Sequence, residues 1–579
     1  MDFNKVEKET SMKQIIQSFK TGEIEIEEVP APVCRPGGLL VATCTSLVSA
    51  GTERQIVDLA RKSLLGKAKA RPDLVKKVSR KIRTDGLLAT IDSVKSRLDQ
   101  PFPLGYSCAG IVVEVGEGVT GFSRGDRVAC AGQDYASHAE MNFVPKNLCV
   151  KIPDNVNMEA ASFVTLGAIA FQAVRQADPR LGETVAVIGL GLLGQIVVQL
   201  LKASGCTVLG VDLDASKVEL AHELGCDQAV TDNALEAAME ITGARGMDSV
   251  IIAASTPSSR PIEMAGEMCR AKGTVVVLGA VGMNVPRKIY YERELDLRLS
   301  MSYGPGRYDP SYEEYGHDYP YGYVRWTENR NMAAFLRLVA ENKVSLEPLI
   351  THRFDIDGAL EAYDTIGGAN KSPYLGIILN YPRTDTNSGT QRRVQLKPKN
   401  EHAATGQVVA GVIGAGSFAQ GTLIPNLASI PSCRLRGLAD LRGEKANHVA
   451  RKFGYEFCCS DVEELLEDPT INTVFITTRH DSHASLVIRA LEAGKHVFVE
   501  KPLCMNEDEL QKIMQAYYAR QGRSRLMVGF NRRFAPLVSR LKEQFNHCRT
   551  PLVMLFRINA GALPLNSWVQ DPREGGGRV

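Results

Sequence analysis

Two stretches of the sequence have a glycine spacing that can hold a phosphate group, VIGLGLLGQ at 187–195 and VIGAGSFAQ at 412–420. In a GxGxxG turn between a strand and a helix, the first glycine permits the tight turn and the second lets a pyrophosphate approach, while the third allows close packing of the helix. The helix N-terminus then faces the phosphate. The positions concerned are Gly189, Gly191 and Gly194 in the first turn, and Gly414, Gly416 and Ala419 in the second. We therefore predict two dinucleotide-binding turns.

Each turn is followed by an acidic residue at the end of the next apolar run. Asp212 ends CTVLGVD and Asp440 ends RLRGLAD, and a carboxylate there is expected to bind both ribose hydroxyls and to repel a 2′-phosphate. The pattern favours NAD, although Lys217 and Arg442 are close enough to meet a 2′-phosphate, so NADP remains possible. For either turn taken alone, a purely structural strand-to-helix corner is the alternative.

The elements that must position these turns divide the chain into units. Short β-like runs separated by Gly and Pro predict a β unit at 11–155, which a basic helical insert interrupts at 54–99. Alternating strand-like and helical runs predict parallel α/β units at 156–300 and at 408–530. The remaining segments are a return to the β unit at 301–382, a linker at 383–407 and the start of a further unit at 531–579.

Bulk composition narrows the class of protein. A chain of 579 residues exceeds a single core, so several domains are expected. Its net charge of +2 gives no overall attraction to nucleic acid or membranes, so we expect neither nucleic-acid binding nor membrane insertion. The alternative is a binding component whose basic insert contacts either of them. The 13 cysteines lack metal-binding spacing and the N-terminus lacks a secretory signal, so we expect no metal and a cytoplasmic location.

Four motifs of the first half occur together: SAGTE, GYSCAGIVVEVGEGVTGFSRGDRV, GLGLLG with VDLDASK, and GTVVVLGAVG. With them, residues 11–382 resemble a medium-chain dehydrogenase/reductase, which joins a GroES-like β domain to a Rossmann domain. Zinc-dependent members place metal ligands where this chain has Ala50, Tyr106 and Thr165, so the resemblance implies a module without zinc. It leaves Thr52 and Tyr106 as the donors that could polarise a carbonyl during hydride transfer, with simple packing as the alternative for Tyr106.

The second half contains VEKPL at 499–503, the loop TTRHDSHASL and the run VGFNRRFAP. With them, residues 408–579 resemble the glucose-fructose oxidoreductase/inositol dehydrogenase/MocA family, or Gfo/Idh/MocA. The resemblance implies that Lys501 positions the reacting hydroxyl and tunes its proton, with a structural role as the alternative. It further implies that Glu500 and Pro502 complete the motif at the cofactor site and that His483, in the loop beside the nicotinamide, is a catalytic residue.

Family members continue beyond a glycine-rich turn such as DPREGGG into a helix that carries an Asp and a His. The unit at 531–579 is therefore expected to be a truncated part of the α+β substrate domain. The whole chain is thus predicted to have an α/β fold, in which a GroES-like domain and a Rossmann domain are followed by a second Rossmann domain and this incomplete unit.

The two-module arrangement resembles bi-domain oxidoreductases of bacterial surface-polysaccharide synthesis. It implies hydride transfer on a sugar or nucleotide sugar at both modules, with NAD or NADP, without zinc, in a homo-oligomer. The tyrosine-rich run at 303–326 could line a sugar or nucleotide pocket, a packed loop being the alternative. The alternative function is a zinc-independent enone or quinone reductase in which only the first module is active.

Overall fold

The structure is a computed structural model that describes most of the chain. The described residues are 11–49, 51–63, 66–67, 69, 75, 78, 94, 98–367, 373–382, 391–398, 406–555, 557, 563 and 567–577. Ala50 and the greater part of both the predicted insert at 54–99 and the predicted linker at 383–407 lie outside them.

The first unit is a β structure in two sheets. Its strands are β1 (Met12–Ser18), β2 (Ile24–Val29), β3 (Gly38–Val48), β4 (Pro101–Pro103), β5 (Ser107–Val115), β6 (Arg127–Ala131), β7 (Met141–Pro145) and β8 (Cys149–Lys151). β1 pairs antiparallel with β2 and β4, and β3 pairs antiparallel with β5 and β7. Because β3 is central in its sheet, nearly all of its side chains are buried. The helix Thr52–Arg61 begins the insert and buries Glu53, Val57 and Ala60 along one face.

The second unit is a doubly wound parallel sheet. Its strands are β9 (Thr184–Ile188), β10 (Thr207–Val211), β11 (Gln228–Val230), β12 (Met247–Ile252), β13 (Cys269–Val277) and β14 (Asp296–Leu299), in the order β11-β10-β9-β12-β13-β14. Parallel neighbours need crossover connections, and helices supply them. The helices of this region are Met158–Ala161, Val164–Ala177, Leu192–Ala203, Ala215–Glu223, Ala234–Ile241, Arg260–Met268 and Arg287–Glu292. This sheet confirms the predicted α/β class.

The chain then returns to the sheet of the first unit. The helices Pro310–Glu313, Glu328–Ala340 and Ala359–Ile366 accompany β15 (Ile350–Asp355) and β16 (Gly376–Asn380). β16 pairs antiparallel with β3 and parallel with β15. Short 3₁₀ turns occur at Lys146–Leu148, Glu347–Leu349 and Ile356–Gly358.

A second Rossmann-type sheet follows. Its strands are β17 (Arg393–Gln395), β18 (Val408–Ile413), β19 (Cys433–Ala439), β20 (Phe457–Cys459), β21 (Thr473–Ile476), β22 (His496–Glu500) and β23 (Leu526–Gly529), in the order β17-β20-β19-β18-β21-β22-β23. The helices are Ile424–Ala428, Gly443–Phe453, Glu463–Leu466, His483–Glu492, Glu507–Ala519 and Pro536–Phe545, with 3₁₀ turns at His480–Ser482, Asn531–Phe534 and Trp568–Gln570. Like β9 in the first module, β18 lies inside its sheet and leads into a glycine turn.

Strand β17 lies inside the segment predicted to be a linker. It pairs antiparallel with β20, and the Arg393 guanidinium lies 3.6 Å from the centre of the Phe457 ring while its charge faces Asp468 at 3.4 Å. This edge strand has only three residues and is held by the contact of Arg393 with the Phe457 ring. Its apolar periodicity is therefore too short to be recognised in the sequence.

Beyond Gly529 the described residues contain no further strand. The helix Pro536–Phe545 buries none of its side chains, so this part of the predicted unit at 531–579 has no packed core of its own. No helix within the described ranges combines the length and apolar character needed to cross a membrane.

Strand β2 and the segment that links it to β3 form one of the contacts between the two modules. A Cβ atom on Gly443 would lie 2.1 Å from the carbonyl oxygen of Pro30, so only glycine fits at this approach. Near it, the Asn447 amide donates to Glu27 Oε2 at 2.7 Å, and the Ser460 hydroxyl donates to the carbonyl of Ala31. The loop between β19 and the helix Gly443–Phe453 is therefore fixed against the first module.

Candidate cofactor clefts and active-site residues

The first glycine turn has the geometry that its sequence predicts. Gly189 follows β9 with φ +96°, and a Cβ there would lie 2.6 Å from the amide nitrogen of Ala254. A Cβ on Gly194 would lie 1.9 Å from the carbonyl oxygen of Gly189, whereas Gly191 faces open space. The first and third glycines are thus needed for packing, and the second leaves room for a pyrophosphate.

The acid of the first module is locked to this turn. Asp212 accepts the Leu190 N–H at 2.7 Å on Oδ2 and the Asp214 N–H at 3.0 Å on Oδ1. The ammonium of Lys217 lies 4.0 Å from Asp212 and 3.4 Å from Asp214. The carboxylate stands where a ribose would be held, with a cation beside it that could also meet a 2′-phosphate.

The second turn differs from the first at its third position. Gly414 has φ +95° and a Cβ there would lie 2.9 Å from the carbonyl carbon of Thr477, while Gly416 is open. Ala419 is fully buried and begins a one-turn π-helix, Ala419–Leu423. The wider π turn accommodates a methyl group where the first module requires glycine.

Asp440 repeats the arrangement of Asp212. It accepts the Ala415 N–H at 2.8 Å and the Arg442 N–H at 3.1 Å, and Lys445 Nζ lies 3.0 Å from its Oδ2. The Arg442 side chain instead faces Glu444, at 3.5 Å. Sequence reasoning missed Lys445, although it follows Asp440 by five positions, the spacing of Lys217 from Asp212.

A cleft of about 1820 Å³ opens over the second glycine turn and is lined by both modules. The second module contributes Asp440 and Lys501 among others, and the first contributes Arg35, Tyr135 and Tyr315. The candidate cofactor site of the second module is therefore enclosed partly by the first.

Lys501 follows β22 directly and lines this cleft. The preceding carboxylate, Glu500, accepts the Asn531 amide at 2.9 Å, and a Cβ on Gly529 would lie 2.7 Å from it. The peptide bond from Lys501 to Pro502 is cis. The EKP motif therefore lies at the carboxyl end of β22, in the cleft over the second glycine turn, and Glu500 is fixed by its neighbours.

His483 is placed differently from its predicted catalytic role. Its side chain is fully buried, with Nδ1 2.6 Å from the Pro502 carbonyl and Nε2 3.3 Å from that of Thr478. Burial lowers its pKa, and a neutral imidazole has a single N–H to donate. The single N–H donates to one of the two carbonyls, of which that of Pro502 is the nearer, so the ring positions the loop that carries Lys501 rather than exchanging protons with a substrate.

The residues at 567–577 close the other side of the cleft and were missed in the sequence. Asp481 N–H donates to the Glu574 carbonyl at 3.1 Å, and the Trp568 ring lies edge-on to His480 with centroids 5.0 Å apart. The Glu574 carboxylate accepts from Arg479 and from the Tyr315 hydroxyl of the first module. No sequence signal indicates these contacts.

Tyr106 forms the candidate donor site of the first module. Its hydroxyl donates to Ser49 Oγ at 2.6 Å, Thr52 is a further hydrogen-bond partner, and burial raises its pKa to about 12. Thr165 donates to the Tyr106 carbonyl at 3.1 Å, and Ala50 lies outside the described residues. Within the described ranges, no group of three His, Cys, Asp or Glu side chains could hold a metal ion.

A buried hydrogen-bonded pair, His138 and Glu53, lies beside this site and was also missed. His138 Nε2 lies 3.2 Å from Glu53 Oε2, and both side chains are almost completely buried. Glu53 also accepts the Ser49 N–H at 2.8 Å and the Tyr363 hydroxyl. Glu53 follows Thr52 in the chain and holds the backbone of Ser49. The pair of Glu53 and His138 therefore fixes the backbone that presents the hydroxyl groups of Ser49 and Thr52.

The tyrosine-rich segment is partly packed. Tyr312 stacks on Tyr319 with centroids 5.2 Å apart, and Tyr303 is buried. Only Tyr315 lines the cleft over the second turn. Tyr308, Tyr321 and Tyr323 are exposed, so packing explains part of the run and the expected pocket of tyrosines is reduced to one contact.

Three family models match the chain. The alcohol dehydrogenase GroES-like domain matches residues 80–154, the zinc-binding dehydrogenase model matches residues 193–315, and the Gfo/Idh/MocA oxidoreductase family, NAD-binding Rossmann fold, matches residues 408–530.

Individual relatives cover different parts of the chain. An uncharacterized oxidoreductase, YrbE of Bacillus subtilis, is 35% identical over 138 residues, which is 24% of this chain and only 40% of that protein. Sorbitol dehydrogenase of Gallus gallus is 27% identical over 320 residues, which covers 50% of this chain and 82% of that protein.

The fold also resembles solved structures. One is an oxidoreductase/dehydrogenase of unknown specificity involved in membrane biogenesis from Escherichia coli, with a TM-score of 0.50, 16% identity and coverage of 64% of this chain and 100% of that one. At this identity the likeness shows the fold alone.

The fold and the two turns, with these matches, define an NAD(P)-dependent oxidoreductase of the dehydrogenase class. Its particular form is bi-domain. The first module matches the GroES-like and zinc-binding dehydrogenase domain models and the second matches the Gfo/Idh/MocA NAD-binding domain, which is consistent with a medium-chain dehydrogenase/reductase joined to a Gfo/Idh/MocA oxidoreductase.

Proposed function

We propose that the protein transfers hydride between NAD(P) and CH–OH groups of a sugar or nucleotide sugar, at two separate modules. The observation that carries this proposal is the repeated geometry, in which Asp212 and Asp440 each accept a backbone N–H of the neighbouring glycine turn. A turn and a ribose-binding acid that are already joined need no rearrangement to receive a dinucleotide. The similarity of the first module to sorbitol dehydrogenase favours a polyol or sugar substrate.

At the second module, Lys501 is the residue that faces the reacting oxygen. A bound nicotinamide supplies the hydride acceptor or donor. The Lys501 ammonium donates a hydrogen bond to the substrate oxygen and orients it for hydride transfer, while the imidazole of His483 keeps the Pro502 loop in place. Small-molecule pockets span about 300–1000 Å³, so a cleft of about 1820 Å³ has room for a dinucleotide and a nucleotide sugar together.

At the first module, Tyr106 replaces a metal as the group that polarises a carbonyl. A hydroxyl has one proton, which Tyr106 gives to Ser49 in the structure. When a substrate oxygen arrives, the Ser49 hydroxyl turns to donate to Tyr106, and the phenol proton becomes available to the substrate. Thr52 is the second donor within reach of the same phenol.

The proposal extends to a place in surface-polysaccharide synthesis and to a homo-oligomeric assembly. Both rest on the family resemblance of the two-module arrangement. Light scattering of the purified protein measures the assembly directly, and a monomer mass would remove that part of the proposal.

A calorimetric titration with NADH tests the core of the proposal. Wild type is expected to bind two equivalents per chain, with Asp212→Ala weakening one site and Asp440→Ala the other. Both variants are then assayed against nucleotide sugars and polyols with NADH or NAD. A single site that only Asp212→Ala removes, with activity on enones or quinones, would instead establish the first module as a zinc-independent reductase acting alone.

A further inference from the structure

A segment of the first module forms part of the cofactor cleft of the second. Residues 30–37 connect β2 to β3, and the Pro30 carbonyl fits against Gly443 directly beside the loop that carries Asp440. Five residues later, Arg35 lines the cleft together with Gly414 and Gly416. The contact at Pro30 therefore holds an arginine of one module at the cleft that contains the glycine turn of the other.

Arg35 is held by packing and lacks a counter-ion among the described residues. Its guanidinium lies 4.0 Å from the centre of the Phe143 ring, and among the described residues the carboxylate that acts on it, Glu314, does so through its charge and without a hydrogen bond. Burial lowers its pKa, while Glu314 attracts it from a distance. Glu314 also interacts with Arg479 of the second module.

A half-buried cation without an ion pair is costly unless an anion arrives to neutralise it. The pyrophosphate is the anionic part of a dinucleotide, and the second turn leaves Gly416 open for it. An arginine can donate two parallel hydrogen bonds to phosphate oxygens. The guanidinium plane is already oriented by the Phe143 ring, so little conformational freedom is lost on binding.

We infer that Arg35 of the first module binds the pyrophosphate of the dinucleotide held by the second module, so that this cofactor site is shared between the modules. The inference rests on the proposed function, because it requires a dinucleotide at the second turn. It explains why a site on one Rossmann domain is covered by the β unit of another.

The test uses the full chain in an Asp212→Ala background, so that calorimetry with NADH and ADP reports the second site. Arg35→Ala is expected to weaken both ligands about tenfold to hundredfold, the range for a lost charge-assisted hydrogen bond. Binding of adenosine, which has no phosphate, is expected to stay unchanged. Arg35→Lys keeps the charge and is expected to recover part of the affinity.

Arg287→Ala is the matched control. The Arg287 guanidinium also lies over an aromatic ring, 4.8 Å from the centre of the Tyr291 ring, but in the helix Arg287–Glu292 of the first module. Circular dichroism and the adenosine affinity show that each variant is folded. Unchanged ADP affinity in Arg35→Ala would overturn the shared site, provided that Asp440→Ala abolishes binding. If Asp440→Ala leaves ADP and NADH binding unchanged, the proposed second cofactor site itself is wrong, and this outcome differs from the failure of the Arg35 inference.

Discussion

The Tyr106 phenol stays protonated over the whole range in which proteins are normally assayed. Burial raises its pKa to about 12, so the proton that a donor must offer is retained well above the ordinary pKa of about 10 for tyrosine. Tyr106→Phe is expected to lower turnover of the first module about 10²-fold to 10³-fold, as removal of one oxyanion donor does. NADH binding is expected to be unchanged.

The measurement is the rate against pH for wild type and for Tyr106→Phe, in an Asp440→Ala background. The wild-type rate is expected not to fall between pH 9 and 10.5, because the phenol does not yet ionise there. Wild type and Tyr106→Phe are therefore expected to show the same pH dependence over this range. Tyr291→Phe alters an exposed tyrosine and serves as the control. Equal rates in Tyr106→Phe and wild type would assign Tyr106 to packing.

Glu328 is a residue that destabilises the fold as pH rises. Its side chain is fully buried, neither carboxylate oxygen has a hydrogen-bond partner, and burial raises its pKa to about 9. The pKa of Glu328 is higher in the folded than in the unfolded protein. The protonated carboxyl therefore makes its full contribution to the free energy of unfolding below pH 4.5, and this contribution is lost progressively towards pH 9.

Glu328→Gln removes this titration and is therefore expected to be more stable than wild type at pH 8, by an amount on the order of a few kcal/mol. At pH 5 the difference is expected to be small. Urea unfolding at the two pH values measures both, with the exposed Glu292→Gln as control. A difference between Glu328→Gln and wild type that does not change with pH would show that Glu328 is paired when folded.

At the scale of elements, the loop between β19 and the helix Gly443–Phe453 joins cofactor binding to the module contact. A Cβ on Gly443 would lie 2.1 Å from the carbonyl oxygen of Pro30. Neither the Cβ nor the backbone carbonyl can avoid the other by a side-chain rotation. Gly443→Ala is expected to displace this loop, and with it Asp440, and to weaken NADH at the second site at least tenfold without affecting the first.

Gly421→Ala is the matched control for that substitution, because a Cβ at Gly421 meets no atom within 4 Å. Calorimetry with NADH distinguishes the two sites, and thermal unfolding reports whether the second module remains folded. If Gly443→Ala binds two equivalents with wild-type affinity, the contact with Pro30 adapts and does not position Asp440.

The elements found from sequence are those with a local signal. Both turns were predicted because three positions within six residues carry the pattern, and the same spacing could have revealed Lys445. Glu53 and His138 lie 85 residues apart, so no local pattern connects them. His483 occupies the predicted loop, but burial and two backbone carbonyls, which only the fold brings together, determine what its ring does.

At the scale of the whole molecule, the tyrosine-rich segment reaches from one module to the other. Tyr303 belongs to the hydrophobic core against which Tyr106 packs, and Tyr315 donates to Glu574 at the far end. Glu574 also pairs with Arg479, next to the predicted nicotinamide loop. A single segment therefore contacts the candidate donor site of the first module and the cleft of the second, which could not be read from either sequence motif.

A double-mutant cycle with Tyr315→Phe and Glu574→Gln measures how strongly this contact couples the modules. The Glu574 side chain is only 12% exposed, whereas that of Arg479 is 55% exposed and its share is screened by water. We therefore expect a coupling of about 1 kcal/mol in unfolding free energy, carried mainly by the hydroxyl and the carboxylate. The pair Tyr315→Phe and Glu292→Gln, which share no contact, is expected to be additive. Additivity in the first pair as well would mean that the contact between Tyr315 and Glu574 does not couple the stabilities of the modules, and that the contacts around Pro30 join them.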